Sequence, residues 1–204
     1  MSAPQKDLGR VLTAMVTPFG ADGELDLRQA ERLAHYLVAN GNDGIVVAGT
    51  TGESPTLSHE EKLELLRAVR SAVPDAPIVM GTGTNDTAAS IHLSQEALRL
   101  GADAVMAVVP YYNKPPQKSL YAHFKAIADA IDGPLVMYNV PTRTIANLAP
   151  ETSIRLSEVS NIVALKEAST DLSQGAAVAA GVAPGFRVYS GEDSITLPML
   201  ASPE

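Results

Sequence analysis

The stretch that decides the fold is Val11-Leu12-Thr13-Ala14-Met15-Val16-Thr17-Pro18-Phe19-Gly20. Its first six residues make an apolar run of strand length, and a Thr-Pro-Phe-Gly turn closes it. A doubly wound nucleotide-binding sheet places a Gly-rich phosphate loop, G-x-G-x-x-G, directly after its first strand. This turn has no such spacing. Further strand-like runs follow at Gly44 to Ala48, Pro77 to Met80, Ala104 to Val109, Pro134 to Tyr138, Ile162 to Lys166 and Phe186 to Tyr189.

Between these runs lie segments whose apolar residues recur at three and four. Ser58 to Val73 opens on a capping box, Ser58 with Glu61, and carries Leu63, Leu66, Val69 and Val73 as one stripe. Asp26 to Gly41 carries Ala30, Leu33, Ala34 and Leu37, with Gly41 suited to the left-handed position that ends a helix. Gln117 to Ile131 carries Leu120, Phe124, Ile127 and Ile131. Strands apolar on both faces and separated by helices predict a parallel sheet covered on both sides. Seven such strands, spaced about 24 to 33 residues apart, fit a TIM (β/α)8 barrel of roughly 250 residues. The expectation is therefore an α/β chain forming one domain over residues 1–204, C-terminally truncated after about seven strands, without the last strand and the terminal helices.

Composition narrows the function. With 46% hydrophobic and 19% charged residues the chain can bury a sizeable core, and a net charge of −8 without a basic cluster argues against nucleic acid. There is no cysteine for a disulfide or thiolate site, and His35, His59, His92 and His123 fall on predicted helices without ligand spacing. Neither metal nor cofactor is expected. The start MSAPQKDLGR has no apolar signal stretch, and no window approaches the roughly 20 apolar residues of a membrane span, so a cytoplasmic location is expected.

In a barrel of this kind the chemistry lies at the C-terminal ends of the strands. Those ends read Thr17; Gly49-Thr50-Thr51-Gly52-Glu53; Gly81-Thr82-Gly83; Pro110-Tyr111-Tyr112-Asn113; Tyr138-Asn139-Val140-Pro141-Thr142-Arg143; Lys166-Glu167; and Ser190-Gly191-Glu192. Lys166 is the sharpest of these, because it closes an apolar run. Burial disfavours an ammonium and so frees the amine to attack a carbonyl carbon. A plainer alternative is a lysine that snorkels or pairs with Glu167. The Gly49 to Gly52 turn offers hydroxyls and backbone N–H groups to a small carboxylate, or is an ordinary polar turn. Tyr138 can relay a proton or simply pack, and Arg143 can clamp a carboxylate or simply be solvated.

Taken together, Gly49-Thr50-Thr51-Gly52-Glu53-Ser54, Pro110-Tyr111-Tyr112-Asn113-Lys114-Pro115, Tyr138 to Arg143 and Lys166-Glu167-Ala168 resemble the dihydrodipicolinate synthase family, of the dihydrodipicolinate synthase / N-acetylneuraminate lyase superfamily. The resemblance runs from about Arg10 to Ala201. It implies a Schiff-base-forming carbon–oxygen lyase in which Lys166 condenses with pyruvate and the enamine attacks L-aspartate 4-semialdehyde. It further implies that Thr51 holds the pyruvate carboxylate, and that Thr50, Tyr138 and Tyr112 relay protons, the last from a neighbouring subunit. Arg143 would receive the semialdehyde's carboxylate, and Gly191 would make backbone contact near the substrate. The full-length form is implied to be a homotetramer, a dimer of dimers. Related lyases acting on N-acetylneuraminate or sugar acids share the lysine and tyrosine, but Thr50 and Arg143 favour the synthase; the non-enzymatic alternative is a truncated fragment that keeps the motifs without being a competent catalyst. In lysine-sensitive members a feedback site includes positions matched here by Ser54, His59, Asn85 and Tyr111. Lys62 and Ala89 stand where such members carry histidine and glutamate, so weak inhibition by lysine is expected.

Overall fold

The computed structural model describes residues 7–201, which form two compact units, 7–82 with 93–105 and 83–92 with 106–201. In chain order the elements are β1 (Leu12–Ala14), α1 (Leu27–Ala39), β2 (Gly44–Val47), α2 (His59–Ala72), β3 (Ile78–Gly81), α3 (Thr87–Arg99), β4 (Ala104–Val108), α4 (Gln117–Ala130), β5 (Leu135–Asn139), α5 (Pro141–Thr144), α6 (Pro150–Ser157), β6 (Ile162–Glu167), α7 (Leu172–Gly181), β7 (Arg187–Ser190) and α8 (Thr196–Leu200). The strand order is the chain order, β1 to β7, as the predicted barrel requires.

In the first unit β1 pairs in parallel with β2, Thr13 against Ile45, and β2 with β3, Val46 against Val79. Every residue of β2 and β3 is buried, as expected of strands covered on both faces. Helix α1 begins where Asp26 accepts from Gln29 N at 2.8 Å, and α2 where the predicted capping box forms. The start of β3 is tied down by Arg70. Its guanidinium donates to the carbonyls of Gly101, Val73, Pro74 and Ala76 and pairs with Asp103, which also accepts from Ile78 N at 2.8 Å.

In the second unit β5 pairs with β6 and β6 with β7, all parallel. The β5–β6 register skips Val163, since Leu135 pairs with Ile162 but Val136 with Ala164. A one-residue slip exchanges the faces of every later residue, so this irregularity sets the side on which Lys166 emerges. The core includes Leu120, Phe124 and Ile127 of α4 with Leu135, Met137 and Leu148. His123 of α4 is buried among them, with Nδ1 2.9 Å from Thr87 Oγ1 and Nε2 without a hydrogen-bond partner. Burial lowers its pKa to about 4, against the opposing pull of Asp86.

Observed boundaries shift by a residue or two from the expected ones. The largest change is at β1, where the ladder covers Leu12–Ala14 while Val11 and Val16, predicted within the strand, are 55% and 51% exposed.

Candidate active site

Lys166 is the penultimate residue of β6, paired in register with Tyr138 on one side and Tyr189 on the other. Its Nζ lies 4.5 Å from the centroid of the Tyr138 ring, which is itself buried. Burial pulls the Lys166 pKa below the ordinary lysine value, with the carboxylate of Asp193 acting in the opposite direction. The amine is thus held against an aromatic face, and a larger fraction of it is neutral than for a solvated lysine. Nothing in the local sequence marks Asp193. It lies on the short turn Asp193–Ile195 beyond β7.

Gly191 is fitted to that side chain. A Cβ at this position would fall 2.8 Å from Lys166 Cγ and 2.9 Å from Cε, while the Gly191 N–H donates to Glu167 O at 2.7 Å. The glycine therefore leaves a channel for the lysine stem and locks the end of β7 to β6.

Glu167 does not pair with Lys166. Alternation along the strand sends the two side chains to opposite faces, and the Glu167 carboxylate accepts from Asn139 Nδ2, Gln174 Nε2 and the Ser169 N–H. The period of two already contained this; Asn139 and Gln174, 28 and 7 residues away, could not have been matched to it without the fold.

Arg143 sits on α5, a single turn with its side chain exposed. Its charge is felt at Glu192, whose carboxyl is lowered first by hydrogen bonds from Ser194 and also by Arg143. Tyr112 lies in the turn after β4. Its residue is 88% exposed, and its φ of 71° lies in the left-handed region, uncommon for a bulky side chain.

Thr50 and Thr51 belong to the first unit, in the turn after β2. Thr17 Oγ1 donates to Gly52 O at 2.6 Å, Ser54 N to Gly49 O at 3.2 Å and Glu53 N to Thr50 O at 3.1 Å. A Cβ on Gly52 would meet Met15 O at 3.0 Å, so the turn is held tightly against β1 with Thr51 exposed. Thr17, a strand-end candidate in the sequence, is buried and serves this turn. In the same unit His59 Nε2 lies 2.5 Å from Glu96 Oε2, a partner that histidine spacing did not reveal.

A seven-stranded parallel sheet in chain order, with helices between its strands, defines the class as a (β/α)8-barrel protein short of its last strand among the described residues. Comparison with known proteins is specific within that class. The chain belongs to the dihydrodipicolinate synthetase family, whose model matches residues 7–202. It is 60% identical over 194 residues to 4-hydroxy-tetrahydrodipicolinate synthase of Moorella thermoacetica, covering 95% of this chain and 66% of that protein. It is 57% identical over 197 residues to the enzyme of the same name from Thermosynechococcus vestitus, covering 96% and 67%. Among solved structures, dihydrodipicolinate synthase of Bacillus anthracis superposes with a TM-score of 0.94 at 49% identity, covering 96% of this chain and 68% of that one. The enzyme of Cyanidioschyzon merolae, solved with lysine bound, gives 0.93 at 50% identity, covering 95% and 67%. The chain thus spans about two thirds of the length of the relatives it matches.

Proposed function

We propose that this chain is a 4-hydroxy-tetrahydrodipicolinate synthase, a lyase in which Lys166 activates pyruvate as a Schiff base. The observation that carries the reading is the Lys166 amine, partly desolvated, set over the Tyr138 ring and threaded past Gly191. The neutral amine attacks the C2 carbonyl of pyruvate and water leaves, giving the imine. Loss of a C3 proton gives the enamine, whose C3 attacks the aldehyde carbon of L-aspartate 4-semialdehyde. The substrate's own amine then displaces Lys166 from the imine carbon, closing the ring and restoring the free lysine.

In this reading Thr51 binds the pyruvate carboxylate, and Thr50, Tyr138 and Tyr112 move the protons, with Tyr112 acting from a neighbouring copy in a homotetramer. The exposure and left-handed backbone of Tyr112 support a role at a second subunit. Arg143 receives the carboxylate of the semialdehyde, and Gly191 lines the site through its backbone. Neither metal nor cofactor takes part, the working barrel is one domain, and the location is the cytoplasm; among the described residues no helix is long and apolar enough to cross a membrane.

Borohydride reduction in the presence of pyruvate tests the reading. A pyruvate-derived mass is expected on the peptide bearing Lys166 and is expected to vanish in Lys166→Ala. Trapping on another lysine, no trapping by folded protein, or efficient cleavage of N-acetylneuraminate with no use of the semialdehyde would each overturn it.

A further inference from the structure

The buried face of β6 carries a charge that the proposed chemistry does not use. Glu167 is 1% exposed and Asn139 is 0% exposed. Asn139 Nδ2 lies 3.1 Å from each Glu167 oxygen, Gln174 Nε2 lies 3.1 Å from Oε2, and the Ser169 N–H lies 2.7 Å from Oε1. A carboxylate only accepts hydrogen bonds, so it dictates which end of each amide faces it. With its Nδ2 turned to Glu167, Asn139 presents Oδ1 to the Leu148 N–H at 3.0 Å. With its Nε2 turned the same way, Gln174 presents Oε1 to Asn147 Nδ2 at 2.7 Å. Asn147 Oδ1 closes the network by accepting from Asn139 at 2.9 Å and from Gln174 at 3.2 Å.

One carboxylate therefore fixes the polarity of two amides, and those amides hold two consecutive residues, 147 and 148. These lie at the far end of the segment that leaves β5 at Val140 and carries Arg143 on α5. The near end is anchored as well, since Thr144 Oγ1 donates to Val140 O at 3.1 Å and to Ala146 O at 2.8 Å. Unpaired polar groups are costly in a buried network, so disturbing one member propagates to the rest.

We propose that Glu167 is a positioning residue which, through Asn139 and Gln174, sets the Arg143-bearing segment relative to the strand end that carries Lys166, and so governs acceptance of the second substrate's carboxylate. The substrate part of this inference rests on the proposed condensation; the ordering of residues 140–149 does not.

Glu167→Gln keeps the shape but turns one acceptor into an amide donor facing N–H groups. Relief requires turning Asn139 or Gln174 over, which takes the partner from Leu148 N–H or from Asn147. In the full chain, amide hydrogen exchange over 140–149 is expected to accelerate about tenfold or more, and KM for L-aspartate 4-semialdehyde to rise by about the same factor. Borohydride is expected still to trap pyruvate on Lys166. Asn147→Ala cuts the network at an exposed residue, and is expected to raise exchange and KM even if Glu167→Gln does not fold. Unchanged exchange and unchanged KM in Asn147→Ala would overturn the inference, as would a folded Glu167→Gln that loses trapping with no change in KM. A wild type that traps no pyruvate defeats the proposed reaction instead, and the exchange experiment then decides the inference alone.

Discussion

Gly191→Ala tests how closely the site is built around the lysine stem. The new Cβ would lie 2.8 Å from Lys166 Cγ, 2.9 Å from Cε and 3.0 Å from Ala168 Cβ. Carbon atoms in contact settle at about 3.5–4.0 Å, so the stem must retreat by about 1 Å. The atoms in the way belong mainly to a flexible side chain, so the lysine yields before the backbone does, and the overpacking costs about 1–3 kcal/mol. The fold should survive. The chemistry should not, because a misplacement of about 1 Å at a reacting group costs about 100-fold in rate. The assay is the rate of borohydride-trappable adduct formation at Lys166 with saturating pyruvate, measured beside a thermal melt. The expected result is a cooperative melt with adduct formation slowed about 100-fold. Trapping at the wild-type rate by a folded variant would refute the reasoning.

Three further outcomes are expected. Arg143→Ala should lose charge-assisted bonds worth about 1.5–3 kcal/mol to the second substrate, raising its KM about 10- to 100-fold in steady-state kinetics while pyruvate trapping persists. His123 has a folded-state pKa of about 4 against 6.5 unfolded, so its contribution is complete above pH 6.5 and is lost as the pH falls toward 4. Denaturant melts should therefore show the wild type losing about 3 kcal/mol more than His123→Gln between pH 7.5 and pH 4, and parallel curves for the two would contradict this. L-lysine should inhibit a full-length form weakly, because Ala89 and Lys62 stand where lysine-sensitive members of the family carry glutamate and histidine; strong inhibition at submillimolar lysine, read from initial rates, would contradict it.

Much of the architecture was legible because buried parallel strands leave long apolar runs and their helices leave stripes. Runs such as Ile162 to Lys166 and the box at Ser58 and Glu61 need no tertiary information. What apolarity cannot report is where the ladder stops, hence the shorter β1. Helices of four and five residues, Pro141–Thr144 and Thr196–Leu200, are too short to carry a period and went unread. At the site, Lys166 announced itself by position alone. Its opposing neighbour Asp193 and the amides around Glu167 did not, because their meaning lies in pairings between distant strands and helices.

The knot around Arg70 has a bearing on how this scaffold can be re-engineered. It lies in the first unit, at the start of β3, and it satisfies four carbonyls and one carboxylate with a single guanidinium. Replacing Arg70 removes the donor to four carbonyls and to Asp103, at a cost of about 1–3 kcal/mol, a sizeable share of the 5–15 kcal/mol typical of a folded domain. Randomising Thr50, Arg143 or the turn after β7 leaves that knot untouched. Libraries that vary those positions can therefore be built with Arg70 and its partners kept as they are.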